Sequence, residues 1–195
     1  SYYKKVKELN PDYVFILDKP IVSKEFLEKV KQDNIPVVWI DHHQTDGCED
    51  SAASYYNSYL LNKTNEPISS VAFEITSKSD DVWLALIGCI SDWYLPYFYK
   101  QFEKKFPDLG RKNPKSAFEL LYNSEIGKIA RILDFSLKDT TTNVVSMIKF
   151  MFHVSGPMDI LQENAKTKQI LKRYSEINIK YQVLMDKARE KVEDK

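Results

Sequence analysis

The residues of this chain best suited to chemistry are Asp41, His42 and His43, which directly follow the apolar run 37–40. A carboxylate and two imidazoles offer the oxygen and nitrogen donors that divalent metals prefer. The run 37–40 has the composition of a buried strand, and open α/β sheets bind ligands at the carboxyl ends of their strands. The triplet therefore indicates a metal site at a strand end, and the alternative is a strand end with a few solvated polar residues.

Two further carboxylates follow apolar segments in the same way. Asp18 follows the apolar run 13–17, and Asp92 follows the segment 82–91, which holds only small or apolar residues. An ionised carboxylate at the edge of an apolar core costs several kcal/mol unless a cation or hydrogen bonds compensate it. Each of these Asp residues alone would be read as a turn former or helix cap. Together with the triplet, they suggest a shared cation.

The order and spacing of these residues resemble those of the DHH phosphoesterase superfamily, which is named for its Asp-His-His triplet. The superfamily includes RecJ-like exonucleases, oligoribonucleases, cyclic-dinucleotide phosphodiesterases and family II inorganic pyrophosphatases. Its members have a strand-end Asp before the triplet, as Asp18 is here, and a glycine followed by Asp downstream, as Gly88 and Asp92 are. They often have an Asn in the strand after the triplet loop, and Asn57 is similar. The resemblance covers roughly residues 11–96.

The resemblance implies a metal-dependent phosphodiesterase or exonuclease that acts on single-stranded DNA or RNA or on short oligonucleotides. It implies two Mn²⁺ or Mg²⁺ ions that activate water and stabilise charge on the phosphoryl oxygens. In this implied site, Asp41 orients His42, and His43 contacts the substrate phosphate or assists the leaving oxygen. Asn57 would join His43 on the substrate side with a supporting hydrogen bond. The metal ligands implied are Asp18, His42 and Asp92.

Some departures from the superfamily pattern leave other functions open. The first motif, an Asp-x-Asp pair, does not occur in residues 1–12, and the usual glycine-rich carboxy-terminal domain is not found. Because the three implied ligands would leave a metal pair underligated, we expect either an additional amino-terminal strand or a catalytically inactive member of the family. Such a member would serve as a scaffold in a replication or repair complex. Hydrolysis of cyclic dinucleotides or phosphoanhydrides is a further alternative.

The sequence predicts an α/β fold in which a parallel sheet flanked by helices is followed by a helical region and a long carboxy-terminal helix. Ser23 can cap a helix that ends before Pro36, and this helix links the strands ending at Asp18 and Asp41. A strand, crossover helix and strand form a parallel unit that brings both strand ends to one edge of the sheet. Further elements expected are a third strand over residues 54–61 and helices over 67–78 and 79–91.

The sequence suggests two regions, a DHH domain over residues 1–157 that is incomplete at its amino terminus, and a long helix over residues 158–195. The segment 159–195 contains no proline or glycine. From Ile170 to Ala188, apolar residues recur at alternating intervals of four and three, which is the period of a coiled-coil seam. We expect this helix to link to a missing second domain, to form a homodimer, or to bind a replication or repair partner.

The amino-acid composition excludes fewer classes of function than the Asp-His-His motif does. The 28 basic and 28 acidic residues balance, so no overall field attracts nucleic acid and a local basic patch would be needed. No apolar stretch is long enough to cross a membrane and no leader opens the chain, so we expect a cytoplasmic protein. Cys48 and Cys89 are expected to be inert thiols, although Cys48 could approach the triplet. His153 is expected to be a packed or surface residue.

Overall fold

The computed structural model of the chain describes residues 2–45 and 52–193, with the backbone alone at residues 192 and 193. The predicted α/β class is confirmed, since three parallel strands are combined with many helices. The contacts within the chain divide it into two compact units, Ser1–Lys78 and Ser79–Lys195. No helix among the described residues is both long and apolar enough to span a membrane.

The first unit contains the sheet and the helices that alternate with its strands. In chain order its elements are α1 (Tyr2–Leu9), β1 (Val14–Leu17), α2 (Lys24–Gln32), β2 (Val37–Asp41), β3 (Ser54–Asn57), α3 (Ser58–Asn62) and α4 (Ile68–Thr76).

The three strands form one parallel sheet in the order β1-β2-β3. Leu17 of β1 lies opposite Ile40 of β2, and Asp41 of β2 lies opposite Asn57 of β3. The predicted parallel strand, helix and strand unit is therefore confirmed, and the carboxyl ends of all three strands meet at one edge. β3 ends at Asn57, earlier than expected, because the Asn57 side chain accepts a hydrogen bond from the Leu60 amide at 3.1 Å and begins α3.

The core of the first unit lies between α2 and the sheet. Leu27 and Val30 of α2 are buried against Val37 and Trp39 of β2. The Trp39 indole N–H donates a hydrogen bond to the Lys19 carbonyl at 2.8 Å, so its polar atom is satisfied within the core. This packing fixes the strand ends from which the candidate site residues extend.

Asp33, just after α2, ties α1 to the rest of the unit. It accepts hydrogen bonds from the Lys7 ammonium at 2.8 Å and from the Tyr3 hydroxyl at 2.9 Å. These two bonds, the Lys7 bond first, hold the pKa of Asp33 below its ordinary value.

A carboxyl whose pKa is lowered by folding contributes stability above its unfolded pKa and loses it as the pH falls through its folded pKa. We therefore expect Asp33→Asn to be less stable than the wild type at pH 7, and the difference to shrink as the pH falls below about 3.9, the ordinary pKa of Asp. Urea unfolding of both proteins across this pH range measures this. A difference that grows on acidification would contradict the assigned role of Asp33.

The second unit is helical throughout its described residues. After a short 3-10 turn (Ser79–Asp81), its helices are α5 (Val82–Ser91), α6 (Tyr99–Lys105), α7 (Ala117–Asn123), α8 (Glu125–Ser136), α9 (Thr141–Met151), α10 (Met158–Leu161) and α11 (Lys168–Glu193).

α5 is apolar on nearly all sides, as expected for a helix at the centre of a bundle. Its residues Val82, Leu86, Cys89 and Ile90 have no exposed surface. The helix expected over residues 79–91 is therefore confirmed, and it packs on α7 and α8. Cys89 belongs to this core, in agreement with the expectation of a packed thiol.

Gly127 allows α8 to begin directly beside the end of α7. A Cβ atom at this position would collide with the carbonyl oxygens of Leu120 and Leu121, which belong to the backbone and cannot rotate away. We expect Gly127→Ala to lower the free energy of unfolding by about 1–3 kcal/mol, the usual cost of overpacking. Thermal or denaturant unfolding measures this loss.

Gly156 provides the matched control, because a Cβ there would meet nothing within 4 Å. Gly156→Ala is expected to change the free energy of unfolding by less than about 1 kcal/mol. Equal losses of unfolding free energy in the two variants would contradict the predicted collision of a Cβ atom at Gly127 with the backbone of α7.

A long carboxy-terminal helix is confirmed as α11, but it runs from Lys168 to Glu193 and the expected start at residue 158 is wrong. The short helix α10 ends at Leu161, and hydrogen bonds of the Thr167 hydroxyl with the Gln162 carbonyl and the Asn164 amide stabilise a turn before α11.

One face of α11 packs on α8, where the Phe135 ring lies 5.7 Å from the Tyr174 ring and 6.2 Å from the Tyr181 ring. Ile179 and Leu184 of the same helix are exposed. The domain boundary expected at residue 157 stays a prediction, while the contacts shown here join α11 to the second unit.

Candidate metal centre

Asp18, His42 and His43 lie together at the carboxyl edge of the sheet in the first unit. Asp18 follows β1, and the two histidines follow the neighbouring strand β2. Each of the three can offer one ligand atom such that all of these atoms lie within 4.8 Å of one another. The parallel pairing of β1 and β2 is what brings residues so distant in sequence to one place.

Asp18 is placed by a left-handed backbone conformation, with φ at 57°. Asp and Asn are among the few non-glycine residues that tolerate this region. Its amide still donates to the Ile40 carbonyl at 3.0 Å, so the chain leaves β1 only after this last ladder bond. The Asp18 carboxylate oxygen Oδ1 then lies 3.2 Å from His42 Nε2, and the carboxylate is half exposed.

Asp41 is completely buried and organises the site from beneath. Its Oδ1 lies 2.8 Å from the His43 Nδ1 atom. Its Oδ2 accepts hydrogen bonds from the backbone amide of His43 at 3.2 Å and from the side-chain Nδ2 of Asn57 at 3.3 Å. Because an ionised carboxylate can only accept, the Oδ1 contact favours a proton on Nδ1 of His43, and in a neutral ring Nε2 then keeps the lone pair. The sequence assigned Asp41 to orienting His42, whereas the hydrogen bond shown by the structure orients His43.

Asn57 supports Asp41 from the adjacent strand. Its side chain is 2% exposed, and its Nδ2 atom also lies within hydrogen-bond distance of the His43 carbonyl at 3.1 Å and the Tyr55 hydroxyl at 2.9 Å. These contacts are those of a residue that positions its neighbours, and its expected place on the substrate side stays a prediction. Tyr55 was missed by sequence reasoning, and its position two residues before Asn57 on one face of a strand was the available signal.

The donors present fit a divalent transition metal. Two ligands at about 2.1 Å from a cation and at right angles to each other are about 3 Å apart. The 3.2 Å between Asp18 Oδ1 and His42 Nε2 is close to that separation. The bond from His43 Nδ1 to a buried carboxylate is the arrangement that orients metal-binding imidazoles in many proteins. His43, expected only as a catalytic and substrate-binding residue, is thus also a candidate ligand.

Asp92 lies at the carboxyl end of α5 in the second unit, where its amide donates to the Gly88 carbonyl at 3.2 Å. Its assignment as a ligand of the same cation stays a prediction. Asp134 of α8, which sequence reasoning missed, accepts a hydrogen bond from the Ser91 hydroxyl at 3.4 Å. Burial raises the pKa of Asp134, and the charge of Asp92 raises it further.

The remaining sequence candidates are spread over the molecule. Cys48 lies outside the described residues. His153 is exposed, as expected, and its Nδ1 donates to the Lys149 carbonyl at 2.8 Å, so it caps its own helix. Phe102, an aromatic residue close in sequence to Lys104 and Lys105, has no exposed surface and belongs to the core, so it cannot stack on a base.

Comparisons with known proteins identify no family for this chain and no function for this site. The chain matches no protein-family model, no curated protein and no solved structure. The resemblance to the DHH superfamily therefore depends on the motif residues themselves, and the function it implies is a proposal.

Proposed function

We propose that this chain carries the metal centre of a DHH-type phosphoesterase that hydrolyses phosphodiester bonds in single-stranded nucleic acid or short oligonucleotides. The observation that supports the proposal is the convergence of Asp18, His42 and His43 within 4.8 Å at the carboxyl edge of a parallel sheet. Open sheets of this kind bind their ligands at that edge. The order of these residues along the chain is that of the superfamily motifs.

The residues that would hold a cation are Asp18, His42 and His43. Two imidazoles and one carboxylate favour Mn²⁺ over Mg²⁺, because Mg²⁺ prefers oxygen ligands alone. When bound, such a cation polarises phosphoryl oxygens and makes hydroxide available from water near neutral pH. Three ligands suffice for one ion with open positions, and a second ion would require further donors.

The exposure of Asp41, His42 and His43 indicates which of them orients the site, which holds the cation and which faces solvent. Asp41 has no exposed surface and fixes the protonated nitrogen of the His43 ring. His43 is 45% exposed, so a phosphate group can reach its ring from solvent. His42 is nearly buried against Asp18, which suits a ligand held in one orientation. With Nδ1 on Asp41 and Nε2 on the cation, His43 would be the ligand on the exposed side, and a substrate phosphate would approach the cation beside its ring.

The test is the release of nucleotides from a short single-stranded oligonucleotide in the presence of Mn²⁺. We expect turnover by the wild type that EDTA abolishes and that His42→Ala reduces by at least a thousandfold, because a direct ligand is lost. Asp12→Asn changes an exposed residue before β1 and should leave turnover unchanged. Turnover that persists in His42→Ala at the wild-type rate would reject the proposal.

A scaffold without catalysis is the second candidate, and one observation favours it. Ile179 and Val183, one turn apart on α11, are 62% and 49% exposed, which is typical of a surface that binds a partner. The same assay separates the candidates when cyclic dinucleotides and pyrophosphate are added as substrates. Mn²⁺ binding without turnover of any of these substrates would favour the scaffold, and turnover of one of them would name the substrate class.

A further inference from the structure

A cluster of basic side chains lies in the second unit, far in sequence from Asp41, His42 and His43. Residues of α9 and of the first turns of α11 line a cavity of about 470 Å³. Three permanently basic side chains, Lys149, Lys166 and Arg173, line it together with His153 and one carboxylate, that of Asp139. The cavity thus has an excess of positive charge in a chain whose overall charge is zero.

Arg173 is held in place but incompletely satisfied. Its Nη2 donates to the Lys138 carbonyl at 3.0 Å, and its Nη1 lies 3.4 Å from a carboxylate oxygen of Glu176. Its Nε is buried and has no acceptor among the described residues. Buried polar atoms are nearly always hydrogen-bonded, and the guanidinium fork matches the oxygens of phosphate. An anion in the cavity would supply the acceptor after a small movement of this side chain.

Lys149 and Lys166 are available to an incoming anion. Both ammonium groups are exposed, and neither forms an ion pair with another described residue. A single lysine on a protein surface binds anions weakly because water screens its charge. Two lysines and an arginine around one cavity attract the same anion together. The cavity also lies beside the amino-terminal end of α11, where the helix dipole favours negative charge.

The single carboxylate in the cavity is already engaged. Asp139 accepts a hydrogen bond from the Thr140 amide at 2.7 Å. This bond first, then a bond from Asn143 and the charge of Arg173, hold the pKa of Asp139 below its ordinary value. Asp139 therefore stays ionised at neutral pH and orients Asn143 and Arg173. It offsets one of the three basic charges, and Glu176 beside Arg173 offsets a second, so a net excess of one positive charge is left.

The rest of the lining combines polar donors with an apolar surface. Gln169 and Ser146 add hydrogen-bonding groups, while Met147, Phe150 and Ile170 form the apolar part. An inorganic anion would use the cationic groups alone, whereas a phosphate ester with an apolar body would also cover these side chains. A cavity of this size accommodates a ligand as large as a mononucleotide.

We infer that this cavity is a binding site for a phosphate group, carried either by free phosphate or by a small phosphate ester such as a nucleoside monophosphate. The site is formed by Lys149, Lys166 and Arg173 between α9 and α11. It is independent of the metal centre in the first unit, since none of its residues belongs to that cluster.

Isothermal titration calorimetry of the EDTA-treated protein with AMP, inorganic phosphate and acetate tests this inference. EDTA keeps metal-bound phosphate out of the measurement. We expect saturable binding of AMP or phosphate by the wild type, with acetate at least about tenfold weaker because it cannot engage three cations at once. The double variant Lys149→Ala/Lys166→Ala should weaken binding by about tenfold or more.

The matched control is Lys172→Ala/Lys180→Ala, which removes the same charge from exposed positions of α11 outside the cavity. Its affinity should stay within about twofold of the wild type, since screened surface charges contribute little. Tighter binding of AMP than of phosphate identifies an ester as the ligand, and equal binding identifies free phosphate. No binding at millimolar concentrations, acetate binding equal to phosphate, or equal losses in both double variants would overturn the inference.

Discussion

Replacing His42 with alanine is expected to weaken Mn²⁺ binding by at least about a hundredfold. Loss of a group that merely orients a metal ligand already costs about 10–100-fold in affinity, and His42 is placed to bind the cation directly. Its ring is 8% exposed and its Nε2 lies 3.2 Å from the Asp18 carboxylate. Without it, one imidazole and one carboxylate remain in the described cluster. Calorimetric titration with Mn²⁺ measures the change.

Two comparisons make this prediction specific. Asp18→Asn should cause a similar loss while keeping the fold, because Asn also tolerates the left-handed conformation found at this position. Asp12→Asn, an exposed residue before β1, should leave the affinity unchanged. An affinity that is the same in the wild type, His42→Ala and Asp18→Asn would show that the cation binds elsewhere.

Asp41→Asn is expected to have the second largest effect, through the orientation of His43. The buried carboxylate accepts bonds from the His43 ring, the His43 amide and Asn57. An amide cannot replace a carboxylate that accepts from all three, and each lost charge-assisted bond costs about 1.5–3 kcal/mol. We therefore expect a lower melting temperature together with a loss of Mn²⁺ affinity of about 10–100-fold.

A measurement of the ring nitrogens distinguishes this role from a purely structural one. In the wild type, ¹⁵N NMR should show the proton of neutral His43 on Nδ1, because Nδ1 faces the carboxylate at 2.8 Å. In Asp41→Asn the ring should lose this preference and populate both tautomers. A destabilised Asp41→Asn protein with the wild-type tautomer of His43 would contradict the proposed role of Asp41.

The elements that carry the site could be predicted because their signals are local. The apolar runs before Asp18 and Asp41 predicted two strands, and the short helical segment between them required parallel pairing. Together these facts predicted that Asp18 and His42 meet at one edge, as the structure shows. The early end of β3 was missed because the Asn57 side chain caps the next helix, which competes with strand propensity.

The contacts within the site could not be read from the sequence for a physical reason. Whether Asp41 bonds to His42 or to His43 depends on side-chain rotamers at the strand end, and both histidines are close enough along the chain. Asp134 and Arg173 were missed because their environments are formed by helices far apart in sequence. Burial and unsatisfied hydrogen-bonding atoms appear only once these helices are packed.

In the proposed metal centre, Asp18, His42 and His43 bind one divalent cation. Electron spin-echo envelope modulation of bound Mn²⁺, in protein labelled with ¹⁵N-histidine, counts the histidine nitrogens attached to the ion. We expect two histidine nitrogens in the wild type, one in His42→Ala, and two in His153→Ala. Bound Mn²⁺ without any histidine nitrogen in the wild type, or an unchanged count in His42→Ala, would contradict this assignment.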